Sequence, residues 1–316
     1  MGYLRAIAPL AAAGCFVLAS CTTPTQPESA AQPEAQFLGT WSMSGAPRAA
    51  EPTTVLGVKI DNTAEAQPQL GVEQADLVVQ EPVEGGLTRL LAFYETAFPQ
   101  VGPVRSIRNS DVGLVLPANA VVVASGGSQT ALAAFQAAGI RLITEDAAEL
   151  STDANRPSDH NVFADLAAIE AANNVSPPTQ DYLDFGEFEG RGGTPAKDVT
   201  VTFNAQSSQR WQRADGAWTR VDQDNFVATT LLVLKVQLSD AGYKDSAGSS
   251  VPIVETTGRG EGWLATGDSV FSIRWAKASD TSPFELSTAD GTPLKVPVGR
   301  TWISLVPEDT GKVQVS

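Results

Sequence analysis

One histidine and two cysteines are all that 316 residues contain of those two types. A lone imidazole, His160, cannot build a multi-histidine metal site. Cys15 and Cys21 both fall in the apolar start of the chain. If that stretch is a leader, the folded part has no disulfide, no cysteine nucleophile and no thiolate metal site. Positive charge is also short: 21 Lys and Arg stand against 36 Asp and Glu, a net charge of −15. Such a surface repels phosphate backbones, so no nucleic-acid partner is expected. No apolar run reaches the roughly 20 residues of a membrane-spanning helix, which excludes a multi-span membrane protein. What remains is 42% hydrophobic and 18% charged, the balance of a folding chain with one large domain or two.

Arg5 precedes an apolar run over 6–19 that ends in Leu18-Ala19-Ser20-Cys21. The run has the length of a secretory h-region. Its end is similar to the lipobox of bacterial lipoproteins, in which the cysteine takes the lipid and becomes the first residue. Residues 1–20 are therefore expected to be a signal peptide. Cys21 is the expected acyl-bearing (palmitate-type) anchor at the outer face of the bacterial cell membrane. Residues 21–52, rich in Pro, Thr, Ser, Ala and Gln, lack apolar periodicity and are expected to form a flexible tether.

The apolar runs 55–60, 75–81, 87–94 and 120–124 read as strands. Ser125-Gly126-Gly127-Ser128 then leads into an alanine-rich helix ending at Gly139. Val162, Leu166 and Ile169 share a helical stripe, with Asn161 as its expected N-cap. Strands alternating with helices over 53–175 predict an α/β domain with a layered, mixed sheet. Residues 176–197 read as a linker. From 198 to 316 strand runs dominate, with Asp215-Gly216 and Asp290-Gly291 as hairpin turns, so a mostly antiparallel β domain is expected. The two domains are expected to be compact units that share at most a polar interface. Trp211, Trp218, Trp263, Trp275 and Trp302 fall in the second; most are expected in its core. Gly258-x-Gly260-x-Gly262 is expected to mark a bend or bulge.

Three stretches hold more polar residues than strands need. The first is Lys59-Ile60-Asp61-Asn62 with Gln67-Pro68-Gln69-Leu70-Gly71. The second is Glu81-Pro82-Val83-Glu84-Gly85-Gly86-Leu87-Thr88-Arg89, and the third Gly102-Pro103-Val104-Arg105-Ser106-Ile107-Arg108. With the SGGS turn, His160-Asn161-Val162-Phe163, Gly258–Trp263 and the 299–307 stretch GRTWISLVP, this ordered set resembles the YerB-like lipoprotein family, which is defined by a domain of unknown function. The resemblance implies an extracytoplasmic lipoprotein with two domains and supplies no activity. Asp159 departs from it, standing where the family commonly has an apolar residue or proline.

Arginine forks match phosphate, sulfate or carboxylate. The SGGS turn offers backbone N–H groups at a helix start. Arg105, Arg108, Ser125, Gly126, Gly127 and His160 are therefore expected to converge on one cleft, with Arg89 close by. If a helix begins near Ser106, the two arginines share its face. Asp61, Asn62, Glu81, Glu84 and Asn161 are candidate supports. The alternative is that the arginines pair with Glu81, Glu84 and Asp111 and only brace loops. No P-loop lysine, dinucleotide fingerprint, EF-hand spacing or G-x-S-x-G elbow is present, so no cofactor and no metal are expected. Three functions stay open. One is a non-enzymatic envelope protein binding an anionic or cell-wall glycan ligand. The others are a cell-wall hydrolase or transferase using His160 and an acidic residue, and a scaffold without a small-molecule site. Protein partners stay open.

Overall fold

The computed structural model describes residues 37–173, 175–221, 226–245 and 248–316. The signal-peptide and Cys21 expectations lie outside the described residues. Among those described, no helix is long and apolar enough to cross a membrane.

The first half supplies strands β1 (Leu56–Asp61), β2 (Leu77–Pro82), β3 (Thr88–Tyr94), β4 (Val121–Val123) and β5 (Leu142–Ile143). Its helices are α1 (Asp111–Val115), α2 (Gln129–Ala137) and α3 (Leu166–Ala172). Every residue of β1, β2 and β3 is buried, as near-continuous apolar runs demand in strands covered on both faces. Ser128 caps α2 by accepting from Ala131 N, 3.1 Å. Asp165, not Asn161, caps α3. The expected helical stripe breaks at Val162–Asp165, which is a strand in a three-stranded antiparallel sheet with Gln100–Val101 and Leu150–Thr152. Only Leu166 and Ile169 sit on the buried face of the helix.

The second half supplies β6 (Asp198–Thr202), β7 (Ser208–Ala214), β8 (Ala217–Arg220), β9 (Thr230–Val236), β10 (Leu238–Lys244), β11 (Ser250–Val254), β12 (Gly258–Thr266), β13 (Ser269–Lys277), β14 (Thr301–Pro307) and β15 (Lys312–Val315). Alternating exposure in β6 and at the start of β7 marks a sheet buried on one side. Asp215 and Gly216, both at positive φ, turn β7 into β8 as a two-residue hairpin requires. β12 and β13 pair without a register break, so the glycine triplet is no bulge. It is a close approach instead: a Cβ at Gly260 would lie 2.6 Å from Trp275 Nε1, and one at Gly262 2.5 Å from the Val233 carbonyl.

The fold class is as expected, a mixed sheet in the N-terminal region and mostly antiparallel sheets in the C-terminal region. The expectation of separate compact units is corrected. One twelve-stranded sheet joins both halves, running β13-β12-β9-β14-β2-β3-β1-β4-β5 through its centre. β14 lies parallel to β9 on one side and to β2 on the other. Side chains alternate across a strand, so two cores form, one on each face. Leu77, Val79, Leu91 and Phe93 meet Leu232, Leu234, Ile303 and Leu305 in one. Val78 and Leu90 meet Trp211, Trp218 and Trp302 in the other. Residues Phe37–Ser316 make one compact unit.

Both expected connectors are corrected for the same reason. The tether stops short of 52: Met43 is fully buried and Glu95 accepts from Ser42 Oγ and Met43 N. The 176–197 stretch packs rather than links. Tyr182 and Leu183 are buried, Tyr182 O–H donates to the Leu114 carbonyl, and Thr194–Pro195 pairs with β13. Trp211, Trp218, Trp275 and Trp302 are core residues, as expected; Trp263 is half-buried.

Candidate functional site

Three loops meet beyond the ends of β1, β2 and β4. The β2–β3 turn swings Glu84 inward, and Gly85 and Gly86 both stand at positive φ, near +70°, which only glycine adopts readily. The 102–108 loop is extended, not helical, so Arg105 and Arg108 diverge instead of sharing a helix face. Its backbone is stitched on both sides: Arg105 N donates to the Lys59 carbonyl, Ser125 N to the Arg105 carbonyl, and Ile107 N to the Gly126 carbonyl. Gly127 lets Ile107 sit against the turn; a Cβ there would be 2.7 Å from Ile107 Cγ1.

Arg108 and Arg89 share one carboxylate. Arg108 grips Glu84 through Nε, 2.8 Å, and Nη2, and Arg89 Nη2 reaches the same group at 3.1 Å. Burial alone would raise the Glu84 pKa; the hydrogen bond from Arg108 and the charges of Arg89 and Arg108 outweigh it and hold it below its ordinary value. Arg89 is pulled down to about 10, first by burial and then by Arg108. Burial opposes the Arg108 charge as well, but Glu84 overcomes it and raises the group.

Arg105 is held differently. Its Nε stands 3.0 Å from Asp61 Oδ2, an ion pair without an aligned N–H, and its Nη1 donates to the Asp159 carbonyl at 2.7 Å. His160 Nδ1 lies 2.8 Å from the same Asp61 oxygen. Asp61 is 1% exposed, so it joins arginine and imidazole from beneath.

Arg89, Arg105, Arg108, Ser106 and Gly127 line a cavity of about 640 Å³. Its opposite wall is the β10–β11 ribbon, which contributes Tyr243, Lys244 and Ser249. Ser128 Oγ donates to Tyr243 Oη at 2.9 Å, and Val254 N donates to Ser110 Oγ, tying the ribbon down. The three guanidinium groups share this lining with Glu84, Lys244, Asp159 and Asp245.

The expected set is brought together in part. Arg89, Arg105, Arg108 and Gly127 line the cavity; Ser125, Gly126 and His160 do not, Ser125 Oγ standing 3.5 Å from Ser106 Oγ of the lining. Asn62 faces away and accepts from Arg220 Nη2, 2.7 Å. The Asn161 carbonyl accepts from Asp153 N, away from the cavity. Glu81 is buried in the sheet, where Lys59 Nζ contacts both Glu81 and Asp111. The pairing expected of the bracing alternative thus holds for Glu84; Glu81 and Asp111 go to Lys59 instead. Among the described residues no group of three or more His, Cys, Asp or Glu is arranged to hold a metal ion.

Fold and site together define a mixed-sheet protein with an arginine-walled cleft built from both halves of the chain. The chain belongs to the family described as protein of unknown function DUF3048: its N-terminal domain matches residues 42–179 and its C-terminal domain residues 194–303. A Bacillus subtilis protein named "Putative lipoprotein YerB" is 38% identical over 74 residues, a match covering 23% of this chain and only 22% of that protein. The crystal structure of the YerB protein from Bacillus subtilis has the same fold, with a TM-score of 0.71 and 19% identity over 87% of this chain and 99% of that one. Neither the family description nor the relative's name states an activity.

Proposed function

We propose that this chain is a lipid-anchored envelope protein, outside the cytoplasmic membrane, that binds an anionic, glycan-type ligand in the arginine cleft. Arg105 carries the reading. Its Nη2 makes no hydrogen bond among the described residues, its side chain is 27% exposed, and it opens on a cavity within the range of small-molecule sites. Arg89 and Arg108, fixed by Glu84, hold the neighbouring wall in place. A scaffold would need its arginines fully paired and no cavity. The hydrolase reading rests on the Asp61–His160 pair, because a carboxylate orients an imidazole for proton transfer. It stands second, since Arg105 shares that carboxylate and no hydroxyl lies within hydrogen-bond distance of the His160 ring among the described residues.

The cleft is tested by titrating the purified full chain, in detergent, with glucose 1-phosphate and with glucose. The phosphate ester should bind and glucose should not. Arg105→Ala should weaken the ester by roughly 10- to 150-fold, the loss of one charge-assisted contact, with the melting temperature kept. An ester that fails to bind, or binds Arg105→Ala equally well, contradicts the reading.

The anchor is tested separately. Cys21→Ala should move the protein from the membrane fraction to the soluble fraction, because the acyl chains on that cysteine are the attachment. Retention of an unlipidated, leader-cleaved protein in the membrane fraction contradicts it.

A further inference from the structure

A second cavity, of about 370 Å³, lies on the other side of the Glu84–Leu87 turn. Leu87 borders both cavities, and Gly85 faces the arginine cleft while Gly86 faces this one. Its wall is of another kind. Asn62, Gln80, Gln206 and Gln209 line it, with Thr63 and Thr88. Its two charged groups, Arg220 and Glu65, cancel.

Part of this wall is locked. Asn62 Nδ2 and Gln80 Nε2 both donate to Thr88 Oγ1, at 2.8 and 3.0 Å, and Gln80 Oε1 accepts from the buried Trp302 indole at 3.3 Å. Gln209 is not spent in this way. It is 6% exposed, yet neither its Oε1 nor its Nε2 has a protein partner among the described residues, and Thr63 Oγ1 is in the same condition. Buried polar atoms are ordinarily paired, because an unpaired one keeps the cost of losing its water. Three such atoms belong to two residues of one cavity wall, where a small side-chain movement would let them bond something that enters it. A carboxamide offers one donor edge and one acceptor side by side, the complement of an amide group. Hydroxyls around it suit a polyhydroxylated ring, and Ala64 and Leu87 give it an apolar edge as well.

We propose that this cavity is a subsite for an N-acetylated sugar, with Gln209 bonding the acetamido group. It deepens the reading of the arginine cleft: the neutral sugar and the anion would be parts of one ligand lying across Leu87.

Neutral probes isolate the subsite from the cleft. The full chain in detergent is titrated with diacetylchitobiose and with cellobiose, and in a separate arm with glucose 1-phosphate. Diacetylchitobiose should bind roughly 2- to 13-fold more tightly than cellobiose, one hydrogen bond's net worth. Gln209→Ala should remove that preference, and so should Gln209→Met, which keeps the side-chain volume should the alanine variant fail to fold. Arg105→Ala should leave it intact. Equal binding of the two disaccharides, no binding of either, or a preference that survives in both Gln209 variants overturns the subsite, whatever glucose 1-phosphate does. Failure of glucose 1-phosphate alone overturns the cleft reading and leaves the subsite standing.

Discussion

Replacing Lys59 by methionine is expected to destabilise the protein by roughly 3–5 kcal/mol, the cost of leaving a buried charge unpaired. Lys59, Glu81 and Asp111 are all fully buried, and among the described residues Lys59 Nζ is the one cation touching both carboxylates. Two carboxylates cannot both ionise cheaply beside one ammonium. Burial first, and then the charge of Asp111, push Glu81 up to about 8 from an ordinary 4.5. Asp111 keeps a partner besides Lys59, since Arg108 N donates to its Oδ2 at 2.6 Å. At neutral pH Glu81 therefore keeps its proton for the most part. A group whose folded pKa is raised adds stability that is complete below its unfolded pKa and disappears as pH climbs through the folded value. Glu81 should thus cost the wild type stability progressively between about pH 4.5 and 8. Glu81→Gln removes that titration, so its urea midpoint should gain on the wild type between pH 5 and pH 9. A constant gap between the two across that range would refute the assignment, and Lys59→Met stability within 1 kcal/mol of wild type, roughly the worth of a surface pair, would refute the buried trio.

Trp302→Ala should cost about 3–5 kcal/mol, as large-to-small changes at fully buried aromatics do. Trp302 stands on β14 at the seam of the sheet. Its ring meets Trp211 and Phe226 edge-on, with centroids 5.1 and 5.2 Å away, and the Arg220 guanidinium lies 4.6 Å from its centre. These partners belong to the C-terminal half, whereas its indole N–H donates to Gln80 of the N-terminal half. Because one core spans both halves, the loss should lower a single transition, seen alike by near- and far-ultraviolet circular dichroism. Two separated transitions, only one of them shifted, would show that the halves fold independently.

The places where sequence reading succeeded and failed have physical causes. Arg89, Arg105 and Arg108 stood out because positive charge is outnumbered here, 21 Lys and Arg against 36 Asp and Glu, and because they sit beside glycine turns that only loops require. Lys59 inside the apolar run 55–60 was also a usable signal: a lysine in a strand buried on both faces needs a buried acid. The β10–β11 wall carried no such signal. Its exposed, polar alternation looks like any surface ribbon, and nothing local says that Tyr243 will reach Ser128, 115 positions away. The division into two units failed because a change from helical to strand texture reports local structure, not where packing ends. The seven-residue run Thr301–Pro307, wholly buried, held the opposite message, since such a strand needs neighbours on both edges and cover on both faces. Gln209 was illegible because its significance lies in what it does not bond.

The binding claim stands or falls most directly on a crystal structure of the chain grown with glucose 1-phosphate at saturating concentration. The phosphate should lie in the cleft between the 102–108 loop and the β10–β11 ribbon, with an oxygen at roughly 2.7–2.9 Å from Arg105 Nη2. An empty cleft, or a phosphate bound elsewhere while Arg105 keeps only Asp61 and the Asp159 carbonyl, would contradict it.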